Sequence, residues 1–195
     1  MKGLLLKDFL VLEKQMKFLL ILIPIMAIAG GGSMASIAIL VGAVLPMTAM
    51  AYDEQSKWNE LAVMMPYSPK HIVLSKYVLG YLCMAGASIL FIAAQAVIAE
   101  VQHKDMDLFM ILFAIISGLL LIAVDIPISI RYGVQKARFV FPIFIGLSVS
   151  VSMILKDVIP EISVNMISIL PVMMLLAVLV LNVFSILVSF RIKHR

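Results

Sequence analysis

Long stretches without a charged residue are the feature that most restricts how this chain can fold. Residues 18–52 contain no Asp, Glu, Lys or Arg. Charged residues make up 13% of the 195-residue chain, whereas an ordinary soluble domain has roughly 25%. A soluble protein has too little polar surface to cover such stretches, so the sequence predicts an all-α integral membrane protein.

The lengths of the apolar stretches predict how many times the chain crosses the bilayer. A membrane-spanning helix needs about 20 apolar residues, so residues 18–52 are too long for one helix and short for two. Two helices fit if Lys14 and Lys17 extend toward the headgroups and the chain turns at residues 30–33, which read Gly-Gly-Gly-Ser. The chain is then one transmembrane domain, 1–195, with six predicted spans: 12–30, 33–51, 77–99, 108–130, 139–155 and 165–190.

Two further patterns concern how the helices begin and pack. The apolar residues Leu5, Phe9, Leu12 and Met16 recur at helical spacing, which favours a helix that starts at the membrane surface and continues into the first span; a plain basic flank is the alternative. Small residues four apart allow close helix packing, within this chain or between subunits. These pairs are Ala38 with Gly42, Ala114 with Gly118, and Gly146 with Ser150.

The distribution of Lys and Arg predicts the orientation. Six spans place the N-terminal flank, residues 52–76, residues 131–138 and the C-terminal tail on one side. The opposite side carries only Lys104 and Lys156 of the 15 Lys and Arg residues. Because basic residues concentrate on the cytoplasmic side, both termini and the 52–76 segment are predicted to be cytoplasmic.

Several classes of function are excluded or weakened by the sequence. The net charge of +4 lies at the ends of apolar runs rather than on one polar face, so a nucleic-acid partner is not expected. No phosphate-binding loop of the G-x-x-x-x-G-K-[ST] type occurs. The three histidines, His71, His103 and His194, lie in separate flanks, so they predict no metal site. The sequence therefore predicts no catalytic residue.

Apart from Glu13, Lys14 and Lys17 at the start of the first predicted span, Asp125 is the one charged residue inside a span. A carboxylate in the hydrocarbon region is costly, and it commonly contacts a substrate or a proton. However, Asp125 lies about 9 Å along the helix from Arg131, so it could instead reach the membrane surface or pair with a basic neighbour. Both interpretations stay open, and Asp125 is a possible substrate-pathway residue.

The 52–76 segment has the strongest local signals. Asp53 is a candidate N-cap for a helix that runs to about Met64, and Pro66 would end it. Ser68 and Pro69 then predict the start of the helix that becomes span three. A short cytoplasmic helix carrying Trp58 suits contact with a partner, although Trp58 could equally hold the segment at the headgroups.

At these residues the chain resembles a known family. The run YDEQSKWNELAVMMPYSPKHIVLSKYVLGY at 52–81 is similar to the segment between spans two and three of small bacterial type-2 ATP-binding-cassette (ABC) transporter permeases. The start, MKGLLLKDF, and the segment IPISIRYGVQKAR also resemble that family. Asp125 stands where the family has an apolar residue, so the resemblance assigns it no role.

The resemblance implies a permease subunit without its own ATPase, in a bacterial cytoplasmic membrane, that forms a homodimer or a heterodimer with a sister permease. ATP and magnesium would be bound by separate ABC ATPase subunits. Some members of the family resemble phenol-soluble modulin exporters, which implies export of an amphipathic or antimicrobial peptide. A non-transport immunity or assembly protein of the membrane is the alternative. The residues expected near the ATPase are Asp53, Glu54 and Trp58 in the coupling segment, and Arg131, Lys136 and Arg138 in the 131–138 loop.

Overall fold

A computed structural model describes residues 2–30, 34–64, 68–102, 108–158 and 164–193. These residues form helices joined by short turns, and no strand occurs among them, which confirms the all-helical prediction. The helices are α1 (Lys2–Gly30), α2 (Ala35–Gln55), α3 (Trp58–Val63), α4 (Pro69–Gln102), α5 (Leu108–Tyr132), α6 (Val134–Ala137), α7 (Val140–Val158) and α8 (Val164–Lys193).

Each predicted span lies mostly within one long helix: α1, α2, α4, α5, α7 or α8. In the described part of the chain, 5 stretches of helix are long and apolar enough to cross a membrane. Helix α1 is not among them, because Glu13, Lys14 and Lys17 interrupt its apolar half. The first span therefore stays a prediction. The stretches that qualify are Ala35–Gln55, Lys70–Val101, Leu108–Tyr132, Val134–Val151 and Met173–Ile192.

The segment between α2 and α4 differs from the prediction at its start. Asp53 does not cap a new helix, because α2 continues to Gln55 and α3 begins at Trp58. The change of direction occurs at Lys57, whose φ of 53° is left-handed. Helix α4 begins at Pro69, as predicted. The predicted stop at Pro66 lies outside the described residues.

Helix α2 lies in the middle of the molecule and packs against both α4 and α5, while α5 also packs against α8. The close approach of these helices depends on glycine. A Cβ added at Gly42 would lie 2.5 Å from the Ala87 Cβ, and one at Gly118 would lie 2.9 Å from the Met84 Sδ. The first two small-residue pairs therefore pack helices within this chain. A Cβ at Gly146 would meet no described residue within 4 Å, so the third pair packs against no helix of the described part of the chain.

Polar side chains hold α8 against α4 and α5. Their hydrogen bonds lie between long apolar helices, where each is worth about 0.6 kcal/mol on average in membrane proteins. Together they set the register of α8. The pairs are Tyr77 Oη with Ser185 Oγ at 2.6 Å and Ser189 Oγ at 2.9 Å, Tyr81 Oη donating to Asn182 Oδ1 at 2.8 Å, Asn182 Nδ2 donating to the Leu119 carbonyl at 3.2 Å, and Ser185 Oγ donating to the Ala123 carbonyl at 2.6 Å.

Candidate functional site

A cluster of four charged residues, three of them buried, joins α1, α2 and α4 near the end of α2. The Lys76 ammonium lies 2.8 Å from Asp8 Oδ2 and 2.6 Å from Asp53 Oδ2. The Lys7 ammonium donates to Asp53 Oδ1 and lies 3.2 Å from Asp8 Oδ1. The second of these contacts is an ion pair without hydrogen-bond geometry, since Asp8 Oδ1 has no hydrogen-bond partner among the described residues. Two lysines thus neutralise two aspartates, and we call these residues the charge cluster.

Burial decides what the charge cluster contributes. Asp8 is 1% exposed and Lys76 is 6% exposed, so both have lost most of their contact with water. Such pairs add little net stability compared with apolar side chains, but removal of one partner leaves an unpaired buried charge and typically costs about 3–5 kcal/mol. The cluster therefore fixes the relative positions of the three helices.

The short helix α3 is connected to the charge cluster through Trp58. The Lys7 ammonium lies 4.2 Å from the centre of the Trp58 ring, which is a cation–π contact. Ala62 is buried on the same helix, whereas Leu61 is 50% exposed and Met64, immediately after α3, is 85% exposed. Trp58 and Ala62 thus fix α3 to the rest of the protein, while Leu61 and Met64 face outward.

Glu54 connects this region to the 131–138 loop. Its Oε1 accepts a hydrogen bond of 2.9 Å from the backbone N–H of Val134, the first residue of α6. Gly133 just before it has a φ of 84°, a left-handed conformation that favours glycine. Val134 and Ala137 are buried, so Glu54 and two apolar side chains hold α6 in place.

The structure separates the six residues predicted to lie near an ATPase into two groups. Asp53 is buried in the charge cluster, Trp58 is partly buried beside Lys7, and Glu54 is exposed but occupied by α6. The other three are exposed basic residues on or beside α6, namely Arg131, Lys136 and Arg138. Glu54 brings the two segments together, and the contact of these residues with an ATPase stays a prediction.

Asp125 belongs to neither group. It is 3% exposed, its Oδ1 has no hydrogen-bond partner, and no basic side chain among the described residues forms an ion pair with it. The pairing that the sequence allowed with a basic neighbour is therefore not found in the described part of the chain. One turn further along α5, Ser129 is 2% exposed, and its Oγ also lacks a hydrogen-bond partner within the part of the chain that the structure describes.

Sequence reasoning missed Lys7, Asp8 and Lys76 as interacting residues. A signal was present in the spacing, because Asp8 falls three residues after Leu5 and four before Leu12, on the apolar stripe of α1. A charged residue on an apolar stripe needs a buried partner. The sequence does not say which of the lysines is that partner.

The model of a family described as ABC-2 family transporter protein matches residues 3–193. No curated protein and no solved structure matches. The family match covers every helix described above, including the charge cluster and the α2–α4 segment. The chain belongs to the ABC-2 family of transporter proteins and is a membrane subunit of an ABC transporter, with several helices able to span a bilayer.

Proposed function

We propose that this permease subunit exports its substrate from the bacterial cytoplasm, using ATP that separate ABC ATPase subunits hydrolyse with magnesium. The proposed substrate is an amphipathic or antimicrobial peptide, as for phenol-soluble modulin exporters. The permease works as a dimer, with itself or with a sister permease, in the cytoplasmic membrane. The single observation that carries this proposal concerns α3: one side of this helix packs against the protein, and the other side exposes apolar residues.

The exposed side of the α3 region supports a protein contact. Leu61 and Met64 are 50% and 85% exposed, and they belong to a segment between two long helices rather than to a membrane-spanning stretch. Apolar side chains exposed outside the bilayer are a common feature of protein-binding surfaces. With both termini in the cytoplasm, the α3 region is cytoplasmic as well, and the ATPase is the partner that contacts Leu61 and Met64.

The fixed side of α3 supports transmission of movement. Lys7 contacts Trp58 and also bonds Asp53, and Lys76 connects Asp53 to Asp8. Because separation of these buried charges is costly, a displacement of α3 moves the adjoining ends of α1, α2 and α4 with it. ATP-driven closure of the ATPases would in this way tilt the spans.

The 131–138 loop supplies the second contact. Arg131, Lys136 and Arg138 are exposed, while Val134 and Ala137 hold α6 against α2. Exposed basic side chains at the rim of an interface mainly increase the rate and the specificity of association. The matching surface on the ATPase is therefore acidic, and this part of the association weakens as salt is added.

Co-purification tests the proposal directly. The tagged permease is purified from native membranes, and the amount of ABC ATPase recovered per permease is measured for the wild type and for a Leu61→Ala, Met64→Ala variant. Two truncated contacts at about 1 kcal/mol each reduce the association about 30-fold. The matched control is Met173→Ala with Leu176→Ala, which alters two exposed apolar residues in α8.

The control variant should retain the ATPase at the wild-type level. The proposal fails if the wild type never captures an ATPase. It also fails if both double variants retain equal amounts, because α3 would then not be the contact.

A further inference from the structure

Helices α1 and α4 are joined by a polar contact near each end of their shared length. Near their starts, the Lys76 ammonium donates to Asp8 Oδ2 at 2.8 Å. Farther along, Gln95 Nε2 donates to the Ala27 carbonyl at 2.8 Å. Each contact joins residues 68 positions apart, so the two helices run parallel and in register. The contacts are about 28 Å apart along the helix axes, which is close to the hydrocarbon thickness of about 30 Å.

An apolar groove lies between these two contacts. It has a volume of about 130 Å³ and is lined by residues of α1 and α4, with Leu45 of α2 at its floor. Ile23, Leu45 and Ala87 are buried, whereas Leu20 and Leu82 are 53% and 50% exposed. The groove is therefore closed on the side of α2 and opens sideways, between the two helices, toward the surroundings of the described part of the chain.

Gly86 provides the room for this groove. A Cβ at Gly86 would meet no described residue within 4 Å, whereas one at Gly42 would lie 2.5 Å from the Ala87 Cβ, on the packed side of α4. Gly86 is at the middle of the stretch Lys70–Val101, which is long and apolar enough to cross a membrane. The groove is therefore at the depth of the bilayer centre.

The lining and the volume decide what the groove can hold. None of the described residues that line it carries a charged, amide or hydroxyl side chain, so a polar ligand would lose hydrogen bonds there without replacement. One turn of a helix with its side chains fills roughly 400 Å³, well above the volume of the groove. A narrow hydrocarbon chain fits, and it restores dispersion contacts that the lining atoms otherwise lack.

We propose that the groove between α1 and α4 binds the end of a phospholipid acyl chain. The headgroups lie about 15 Å from the bilayer centre, so the groove contacts the last part of the chain and not the headgroup. The site therefore selects a lipid by the depth that its chain reaches, and it accepts different headgroups.

Photo-crosslinking of the permease in phosphatidylcholine vesicles tests the site. Three probes are compared: phosphatidylcholine with a diazirine at the end of one acyl chain, phosphatidylcholine with the diazirine close to the headgroup, and phosphatidylglycerol with the diazirine at the chain end. Crosslinked residues are identified by mass spectrometry. The reference surface is Val180 and Val183, exposed residues near the middle of the stretch Met173–Ile192 and so at a similar depth.

Both chain-end probes should label the residues around Gly86 and Leu20 about tenfold more than the reference surface, because a bound chain stays in place whereas surface lipids exchange. The probe with the diazirine close to the headgroup should not show this preference. A preference for one headgroup, or equal labelling of the groove and the reference surface, would contradict the proposal.

Two glycine variants separate the groove from general effects on the helices. Gly86→Leu places a side chain in the groove, so labelling there should fall about tenfold, to the level of the reference surface. Gly146→Leu is the matched control, because Gly146 is also a helical glycine whose added Cβ would meet no described residue within 4 Å, and it does not line this groove. That variant should keep the labelling, and circular dichroism checks that both variants retain their helix content.

The inference is overturned if Gly86→Leu and Gly146→Leu lose equal amounts of groove labelling. It is also overturned if oxidation of the reconstituted protein yields a disulfide-linked dimer through Cys83, the one cysteine of the chain, which lines the groove; a second copy would then be the occupant. The lipid site is independent of the ATPase contact, since these measurements need neither ATP nor an ATPase.

Discussion

Replacement of Lys76 by methionine is the sharpest test of the charge cluster. The change keeps most of the side-chain volume but removes the ammonium that lies 2.8 Å from Asp8 and 2.6 Å from Asp53. Lys7 alone then faces two carboxylates, one of them 1% exposed. Since the loss of one partner from a buried ion pair costs about 3–5 kcal/mol, Lys76→Met should lower the free energy of unfolding by a similar amount.

The assay is reversible unfolding of the permease in mixed micelles, with helix content followed by circular dichroism. The double variant Lys76→Met, Asp8→Asn leaves one lysine with one aspartate, so it should recover much of the lost stability. The matched control is Lys17→Met. It breaks the Lys17–Glu13 pair, which has a comparable distance of 2.7 Å but side chains that are 70% and 56% exposed.

Exposed ion pairs contribute little to stability, so the free energy of unfolding of Lys17→Met should not differ measurably from that of the wild type. Equal losses of stability in Lys76→Met and Lys17→Met would mean that burial does not determine the cost of breaking an ion pair. A double variant less stable than Lys76→Met would mean that charge imbalance is not the cause.

Three further predictions concern other parts of the structure. Glu54→Ala should uncouple ATP hydrolysis from transport in proteoliposomes. Glu54→Gln should largely retain this coupling, because its amide oxygen still accepts the hydrogen bond from α6. An equal loss of coupling in both variants would contradict a role for that hydrogen bond. Gly42→Val should reduce the yield of folded protein and lower its unfolding temperature, since the α2–α4 contact has no space for the side chain. Gly146→Val, placed in open space, should leave both unchanged, and the packing argument fails if the two variants agree. Paired enzymatic reporters fused at residues 60 and 104 should place residue 60 in the cytoplasm and residue 104 outside. An external position for residue 60 would contradict the predicted orientation.

The parts of the fold that depend on residues close together in the sequence could be predicted. Apolar runs located the long helices, and Ser68 with Pro69 located the start of α4. Asp53 shows the limit of such reasoning. Its local pattern suggested an N-cap, but its carboxylate instead bonds Lys7 and Lys76, which are 46 and 23 positions away. A local signal was overridden by tertiary contacts that no short window contains.

The same limit applies to the candidate site. Glu54 accepts a hydrogen bond from a backbone N–H 80 positions away, and nothing in its own segment specifies that donor. Asp125 could be identified as an unusual charge within a span, but only the structure shows that no basic side chain among the described residues forms an ion pair with it. The sequence therefore indicated that Glu54 and Asp125 were unusual, whereas their surroundings depend on how helices distant in sequence pack together.

The charge cluster has a consequence for how the protein is made. Asp8 and its partner Lys76 are 68 positions apart, and the ribosome adds about 5–20 residues per second. Asp8 therefore waits several seconds for Lys76, during which α1 has no partner able to neutralise its buried acid except the adjacent Lys7. The N-terminal helix cannot take its final place as soon as it is synthesised. The contact of α1 with α4 can form only once the start of α4 has been synthesised, so these two helices complete their packing together.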